Sequence, residues 1–353
     1  MNERLKKLSS RKGMDSLGPI GILLVIVAIL FATTPSFRSA NNLTQILLSA
    51  SVYMMLSMGM TFAIIIGGID LSSGSIVGLV GGVICTLMLK LGLPLGIALL
   101  GGVLTGALCG YINGILVTRL GLIPFIATLG GQWIYRGVLK LLNNGATISL
   151  RGNISKEAMK AMQFLGNGKV LGIPVPVYFV AVAAALLTFL LKKTTFGRSV
   201  YAVGSNAETA RMSGINVQRI KLLVFTLTGA MAGLAGMIMI TRMTSAQVNC
   251  GEGYEFEGIF AAVVGGVSMA GGEGSVLGAV VGVIGSLEAT EAVKLIAGVG
   301  EPLVARMLTV DALTMNIRRV PLPKHVPDCP VCGEQPTITA IDPANYIQPA
   351  CAI

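Results

Sequence analysis

Long apolar stretches recur along most of this chain, and they restrict its fold more than any other feature. A helix needs about 20 mostly apolar residues to cross the hydrocarbon core of a bilayer. Charged residues make up only 12% of the sequence, whereas soluble proteins average about 25%. The sequence therefore predicts an all-α polytopic membrane protein. The uninterrupted predicted spans are Leu17–Thr33, Ile46–Gly67, Ser75–Leu91, Leu95–Val117, Pro124–Leu142, Val175–Leu191 and Leu222–Met243.

A further apolar stretch, Ile259–Gly285, is interrupted near its middle. Gly265 and Gly266 and then the run Gly271–Ser275 break the helical pattern. Two half-spans, or a re-entrant loop buried in protein, fit this break better than one smooth helix. With it, the chain is predicted to contain about eight spans.

Glycines repeat every four residues on two of the predicted spans. Small residues at this spacing let helix backbones approach closely in a membrane. The pattern therefore predicts tight helix packing rather than a ligand site. The glycines are Gly102, Gly106, Gly110 and Gly114 on one span, and Gly229 and Gly233 on another.

Basic residues predict the orientation, because Lys and Arg concentrate in cytoplasmic loops. The N-terminal segment 4–12 is basic and is expected in the cytoplasm. Alternation of the spans then places the basic segment 192–221 in the cytoplasm as well. The polar segment 143–172 falls outside although it is also basic, since long translocated loops often escape the rule. The net charge of +10 thus belongs to loops beside spans and indicates no nucleic-acid partner.

Polar residues within or between spans are candidates for gating or solute contact. Asp70 and Ser72 lie in a glycine-rich link between two spans, and ionisable residues at membrane depth are functional candidates. Capping of the next helix is the alternative role for these two residues, and the two roles are compatible. Gln132 and Arg136 are further pathway candidates within a predicted span.

The segment 196–216 is predicted to contain a short helix on the cytoplasmic side. Ser205 or Asn206 can cap a helix over Ala207–Met212, and Gly214 can end it. A short helix between two spans, with small residues on one face, suits docking into a groove of another protein. A solvated loop is the alternative interpretation.

Four motifs in order resemble the permease subunits of bacterial ABC importers for ribose, xylose and related sugars. They are the Gly-Gly-Ile-Asp-Leu-Ser run at 67–72, Ile-Pro-Phe-Ile-Ala-Thr-Leu-Gly at 123–130, the segment 196–216, and 261–275. The resemblance covers residues 15–285. It implies that the short cytoplasmic helix couples the permease to its ATPase, through Asn206, Ala207, Glu208, Ala210, Arg211, Ser213 and Gly214.

The same resemblance implies the assembly and its location. A second permease copy is expected beside this one in the lipid bilayer, with ABC ATPase subunits below and a periplasmic sugar-binding protein outside. The chain contains no G-x-x-x-x-G-K-S/T phosphate loop, so ATP hydrolysis is expected on a partner chain and no enzyme activity or cofactor on this one. The location implied is the bacterial inner membrane, with many passes and a cytoplasmic N-terminus.

Residues 286–353 have a different character from the permease-like domain of residues 1–285. They are acidic and rich in proline, and they predict a small irregular soluble tail. Residues 285–338 resemble the C-terminal end of the adenylating enzymes that activate ubiquitin-like sulfur carriers. In that family the closing Cys-x-x-Cys is half of a zinc site, which corresponds here to Cys329 and Cys332. No second pair is present, so an intramolecular zinc site and two free thiols both stay open.

Three hypotheses follow from these two parts. The first is a sugar-importer permease whose terminal spans are replaced by the tail, which makes the permease fold a truncated one. The second is an inactive or artificial fusion of a permease with an adenylating-enzyme fragment. The third, an enzyme or carrier-binding module tethered to the membrane, lacks any catalytic constellation in the sequence.

Overall fold

The computed structural model describes residues 40–283 and the strands at 306–311 and 316–321. The chain divides into two units, Met1–Thr290 and Glu291–Ile353. The described part of the first unit is largely helical. Its helices are α1 (Ala40–Ile65), α2 (Ser73–Leu89), α3 (Leu95–Thr118), α4 (Pro124–Leu142), α5 (Lys156–Asn167), α6 (Val175–Lys193), α7 (Thr195–Ser205), α8 (Ala207–Met212), α9 (Val217–Met243), α10 (Tyr254–Val264) and α11, helical over residues 276–283.

Local sequence explains where these helices begin. Pro94 precedes α3, Pro124 opens α4 and Pro174 precedes α6. Proline suits these positions because its fixed φ is preorganised for a helix and its missing N–H would have no intrahelical partner there. The more polar helices begin at side chains that accept hydrogen bonds from the first turn. Ser155 caps α5 and Thr194 caps α7 in this way.

The predicted fold class is confirmed by the helices and by their composition. Within residues 40–283, four helices are long and apolar enough to cross a membrane: α1, α3, α6 and α9. Helix α2 is apolar but has only 17 residues, and most of them are buried within the protein. The predicted span Leu17–Thr33 lies outside the described residues. The count of about eight spans therefore stays a prediction.

Helices α3 and α9 pack through glycine, as the repeat predicts. A Cβ added to Gly106 would lie 2.6 Å from the carbonyl oxygen of Gly229 and 2.7 Å from the Cα of Gly233. Only hydrogen occupies those positions, so the two backbones touch directly. Thr228 on the same helix donates to the carbonyl oxygen of Gly59 at 3.2 Å and ties α9 to α1.

The predicted break in the last apolar stretch is present. Helix α10 ends at Val264, and the chain turns before α11 begins at residue 276. Gly271 and Gly272 have φ values of +84° and +75°, which side chains other than glycine rarely adopt. Two short helices joined by a loop, rather than one continuous helix, follow α9 and the segment 244–253.

A non-helical segment, residues 244–253, packs along α2 and was not predicted. The Cβ of Ala246 lies 3.9 Å from the position that a Cβ on Gly81 would take, and the carbonyl oxygen of Cys250 would lie 2.6 Å from a Cβ on Gly78. Its first residues form strand β4 (Ser245–Ala246), which pairs with β1 (Ile148–Ser149). A second short hairpin joins β2 (Lys169–Val170) to β3 (Ile173–Pro174).

In the second unit, the described residues form one antiparallel hairpin. Strand β5 (Arg306–Asp311) pairs with β6 (Asn316–Pro321), with Asp311 opposite Asn316 at the turn end. Residues of high strand propensity such as Val310, Ile317 and Val320 occur in both strands. Cys329 and Cys332 lie outside the described residues, and so does the predicted tail as a whole apart from this hairpin.

Candidate functional site

The predicted short helix is present with the predicted bounds and one of the two predicted caps. Helix α8 spans Ala207–Met212, and the side chain of Asn206 accepts a hydrogen bond from the backbone N–H of Thr209 at 2.9 Å. Asn206, rather than Ser205, is therefore the cap. Gly214 follows the helix with a φ of +82°, which fits its predicted role in ending it.

The two faces of α8 differ sharply in exposure. Ala210 is 3% exposed and packs against the protein. Glu208 and Arg211 form an ion pair at 2.6 Å, with side chains 66% and 71% exposed. Met212 is 83% exposed, an apolar surface that the sequence pattern did not indicate. A small buried face and a charged and apolar exposed face leave this helix positioned to contact another protein.

The remaining predicted coupling residues stabilise the conformation of this segment. Ala207 is half-buried beside the core, and the Ser213 hydroxyl donates to the carbonyl oxygen of Thr209 at 2.9 Å. The backbone N–H of Gly214 donates to the carbonyl oxygen of Arg211 at 3.0 Å. These contacts lie within the segment itself, so its conformation is fixed locally.

A backbone junction connects the segment 196–216, which contains the predicted coupling residues, to two other elements. A Cβ on Gly204, near the end of α7, would overlap the carbonyl oxygen of Ile65 and lie 2.7 Å from the backbone nitrogen of Gly272. The N–H of Gly272 donates to the Ile65 carbonyl at 2.8 Å. The hydroxyl of Tyr201 donates to the carbonyl oxygen of Gly274 at 2.7 Å. The end of α1, the end of α7 and the loop between α10 and α11 therefore meet at one point.

Asp70 and Ser72 belong to a buried hydrogen-bond network. The Oδ1 atom of Asp70 accepts from the backbone N–H of Ser72 at 2.9 Å and from its hydroxyl at 2.6 Å. The amide of Asn113 donates to the Ser72 hydroxyl at 2.7 Å, and the Tyr135 hydroxyl donates to Asn113 Oδ1 at 2.9 Å. The network joins the link before α2 to α3 and α4.

Of the two capping candidates before α2, Ser72 does not act as a cap. Ser72 occupies the position before α2, but its side chain makes no capping hydrogen bond within the described residues. The Asp70 carboxylate instead closes a turn onto the residue two positions later, a common use of Asp. Asp70 is fully buried, and its Oδ2 atom has no hydrogen-bond partner among the residues that the structure describes.

Gln132 and Arg136 lie in a polar row on α4 that faces the segment 244–255. Gln132 donates to Glu255 Oε1 at 3.2 Å. Arg136 donates to the carbonyl oxygens of Val248 at 3.1 Å and Cys250 at 2.6 Å. Farther along the chain, just past the end of this helix, Asn143 donates to the carbonyl oxygen of Ala246 at 3.1 Å. Both candidates thus contact protein, and their part in a solute pathway stays a prediction.

The described residues contain no group of three or more His, Cys, Asp or Glu side chains that could hold a metal ion. Cys85 and Cys109 are buried and Cys250 is half-buried, each as a free thiol. Buried free cysteines of this kind behave as small apolar side chains.

Long apolar helices, with a short capped helix between two of them, are typical of a multi-pass membrane protein. The profile of the family described as "Branched-chain amino acid transport system / permease component" matches residues 42–299. The chain belongs to this permease family. The match includes all of residues 42–283, and it continues past the predicted domain boundary at Gly285.

Three curated relatives are named as permease proteins of sugar transport systems. The ribose import permease protein of Bacillus subtilis is 38% identical over 77% of this chain and 82% of its own length. The D-allose transport system permease protein of Escherichia coli K12 is 40% identical over 77% and 82%. The xylose transport system permease protein of Haemophilus influenzae is 33% identical over 76% and 88%. No solved structure matches the chain.

Family membership assigns the chain its class. It is the permease subunit of an ABC importer, a multi-pass protein of the inner membrane. Permease subunits of this family are not themselves enzymes, and a separate ATPase subunit hydrolyses ATP. The family ordinarily needs no cofactor. The comparisons give no support to the alternative of an inactive or artificial fusion.

Proposed function

We propose that this chain is the membrane subunit of an importer for a monosaccharide such as ribose, xylose or a related sugar. The names of the ribose, allose and xylose permeases support this substrate class. Transport follows alternating access, in which closure of the ATPase subunits switches the permease between outward and inward openings. A periplasmic sugar-binding protein delivers the solute, and a second copy of this chain completes the pathway.

The single observation that carries the proposal is the exposed face of α8. A helix of six residues is too short to be stable in isolation, yet Asn206 caps it and Ala210 anchors it to the protein. Its charged pair Glu208 and Arg211 points away from the core. We propose that this face binds the ATPase subunit. Movement of the helix then passes to Ile65 and Gly272 through the junction at Gly204.

Orientation is part of the same proposal. The N-terminus and the coupling segment lie in the cytoplasm, where the ATPase is found. The helices α6 and α9 connect this segment to the polar residues 144–173 and 244–253 at the other side. Asp70, Ser72, Gln132 and Arg136 are proposed to act in gating, because they fix the link before α2 and the segment beside it rather than standing alone in a span.

Co-purification with the ATPase tests the coupling assignment. Replacing both Glu208 and Arg211 with Ala removes the exposed pair and should abolish co-purification of the cognate ATPase with the full-length chain. An exposed ion pair contributes about 0–1 kcal/mol to folding, so the variant should keep its unfolding temperature. Loss of partner binding with unchanged stability would then report on docking alone.

A matched control is available on α5. Glu157 and Lys160 are also exposed, three residues apart, at the opposite side of the protein. Replacing both with Ala should leave co-purification unchanged. If the Glu208 and Arg211 variant still binds the ATPase as well as this control does, the coupling role of α8 is wrong.

The proposal also divides the chain into a permease domain of residues 1–285 and a tail of residues 286–353. Uptake of radiolabelled ribose, xylose or allose by cells that express the full-length chain with its ATPase and binding protein distinguishes a permease from an inactive fusion.

Zinc analysis of the purified chain tests Cys329 and Cys332. Metal lost on replacing both with Ser would identify a site in the tail, whereas two free thiols bind none.

A further inference from the structure

A cavity of about 270 Å³ lies among residues of α1, α5, α9 and the start of α10. Its walls combine aromatic, polar and apolar side chains: Ser49, Tyr53, Asn167, Met239, Arg242 and Tyr254 are among them. Ligand pockets for drug-sized molecules measure about 300–1,000 Å³ and mix apolar walls with a few polar groups. This cavity has the same mixture of apolar and polar lining, and its volume suits a ligand smaller than a drug-sized molecule.

Two tyrosines form one wall of the cavity. The rings of Tyr53 and Tyr254 have centroids 4.9 Å apart and planes inclined at 67°. An edge-to-face pair holds each ring in a fixed orientation. The negative face of such a ring attracts the partly positive C–H bonds of a sugar ring, so this wall offers a rigid surface to the apolar face of a monosaccharide.

Arg242 supplies hydrogen-bond donors to the wall of the cavity. Its guanidinium group carries five N–H donors, and one terminal nitrogen donates to the carbonyl oxygen of Leu48 at 2.9 Å. The Nε atom has no hydrogen-bond partner among the described residues, but it is buried beneath the cavity surface. The donors at the cavity surface can therefore serve a ligand hydroxyl, and a hydrogen bond to a charged group is among the stronger ones.

The remaining polar groups face the same space. Asn167, at the end of α5, donates to the carbonyl oxygen of Arg242 at 3.2 Å, which brings the amide of α5 to the cavity rim. Ser49 lines the α1 side. Hydroxyl and amide groups can both donate and accept, which matches a solute with several hydroxyls.

The position of the cavity fits the arriving solute. Arg242 lies in the last turn of α9, whereas the coupling segment precedes the first residue of that helix, Val217. At 1.5 Å per residue, a 27-residue helix separates the two by about 40 Å. On the proposed orientation, the cavity therefore lies toward the periplasmic side.

We propose that this cavity is the first contact of the permease with its solute, a neutral polyhydroxylated molecule of monosaccharide size. The inference rests on the proposed function and adds the site to it. An amino acid fits less well, because the described residues that line the cavity include no carboxylate to pair with its ammonium group.

The test uses the complete transporter in proteoliposomes, with its ATPase and binding protein, and tritiated ribose, xylose or allose as the probe. Arg242→Gln removes the guanidinium group, and Met239→Trp fills the cavity while keeping Arg242. Arg242→Gln should lower the sugar transported per ATP hydrolysed by about tenfold or more, the effect of losing one hydrogen bond to a charged group. Met239→Trp should lower the same ratio, because its larger side chain takes the space of the sugar. Stimulation of the ATPase by the loaded binding protein should persist, which a folding defect would abolish.

Matched controls lie outside the cavity. Arg151 is exposed and its Nε donates to Thr244 at 3.0 Å, and the exposed Tyr178 donates to the carbonyl oxygen of Val170 at 2.9 Å. Arg151→Gln and Tyr178→Leu should leave the sugar transported per ATP hydrolysed unchanged. Within the cavity, Tyr254→Leu should lower this ratio, and Tyr254→Phe, which keeps the ring, should largely retain it.

The outcomes separate the two proposals. If the wild-type transporter imports at least one of the three sugars and the Arg242 and Met239 variants keep its ratio, the cavity assignment is overturned while the transport function stands. If the wild-type transporter imports none of the three, the proposed function fails and the cavity assignment falls with it. If ribonate, which is an anion, competes with the labelled sugar for transport more tightly than unlabelled ribose does, the choice of a neutral solute is overturned.

Discussion

At the scale of single residues, this permease depends on positions where a side chain has no room. Gly204 is one such position, because the carbonyl of Ile65 and the backbone of Gly272 occupy the space that a Cβ would need. The atoms in the way are backbone atoms, which cannot rotate aside as a flexible side chain does. Glycine at this position therefore permits a direct contact among three elements.

Gly204→Ala should destabilise the protein and uncouple transport. Overpacking a well-packed site costs about 1–3 kcal/mol, and here it would separate α7 from the end of α1. We expect a lower unfolding temperature for the purified protein and less sugar uptake per ATP hydrolysed. Gly130→Ala is the control, since Gly130 is helical and exposed, and a Cβ added there would meet none of the described residues within 4 Å. Equal stability of the two variants would contradict the role given to the junction.

At the scale of elements, short polar pieces are fixed by caps and by hydrogen bonds to neighbouring helices. Helix α8 begins at the Asn206 cap and ends before Gly214. The segment 244–253 forms no helix, and its carbonyl groups instead bind the polar row on α4. Buried backbone groups need such partners, above all where lipid excludes water.

Asn206→Ala should loosen α8 without affecting the spans. Loss of a cap costs about 1 kcal/mol, which raises the open fraction of the helix about fivefold. Hydrogen exchange followed by mass spectrometry should therefore show faster exchange in residues 207–212, and binding of the ATPase should weaken. Asn206→Asp keeps a side-chain acceptor and should retain slow exchange. Equally fast exchange in both variants would argue against the cap.

Arg136→Leu should release the segment 244–253 from α4. The carbonyl oxygens of Val248 and Cys250 would lose their donor, at a cost of about 1–3 kcal/mol for each group left unsatisfied. We expect faster maleimide labelling of Cys250 in purified protein whose tail cysteines are replaced by Ser. Lys140→Leu removes an exposed cation from the same helix and should leave the rate unchanged. Labelling at the same rate in all three proteins would contradict this role of Arg136.

At the scale of the whole molecule, the two ends to which function is proposed are separated by the length of α9. The proposed coupling segment precedes this helix, and the cavity around Arg242 lies at its far end. Transport requires the two ends to respond to each other. The direct contacts of α9 with α3 through glycine, and with α1 through Thr228, provide a rigid connection between them.

The proposed orientation predicts opposite labelling of the two ends. In a background with Cys250, Cys329, Cys332 and Cys351 replaced by Ser, Lys160→Cys should react with a membrane-impermeant maleimide in intact spheroplasts. Glu208→Cys should react only after the membrane is permeabilised, because its segment lies in the cytoplasm. Both sites are exposed, so access to solvent within the protein does not limit either reaction. The reverse pattern would show that the orientation is inverted.

The sequence by itself determined the long apolar helices of this protein and the bounds of α8. Apolar length, proline and glycine mark Pro124–Leu142 with the observed bounds, and Asn206 and Gly214 mark α8. Proline, glycine and cap residues act within about one turn of a helix, and apolar length is read along a single segment, so these signals need no tertiary contact. The class of transporter also followed from motifs present in the sequence.

Only the tertiary structure decided which distant groups meet. Arg136 binds the carbonyl of Cys250 more than a hundred positions away, and Gly204 touches both Ile65 and Gly272. Nothing local to Arg136 shows which carbonyl lacks a donor, and nothing local to Gly204 shows which backbone approaches it. The cavity around Tyr53, Arg242 and Tyr254 arises in the same way, because its walls come from helices that packing, rather than sequence order, brings together.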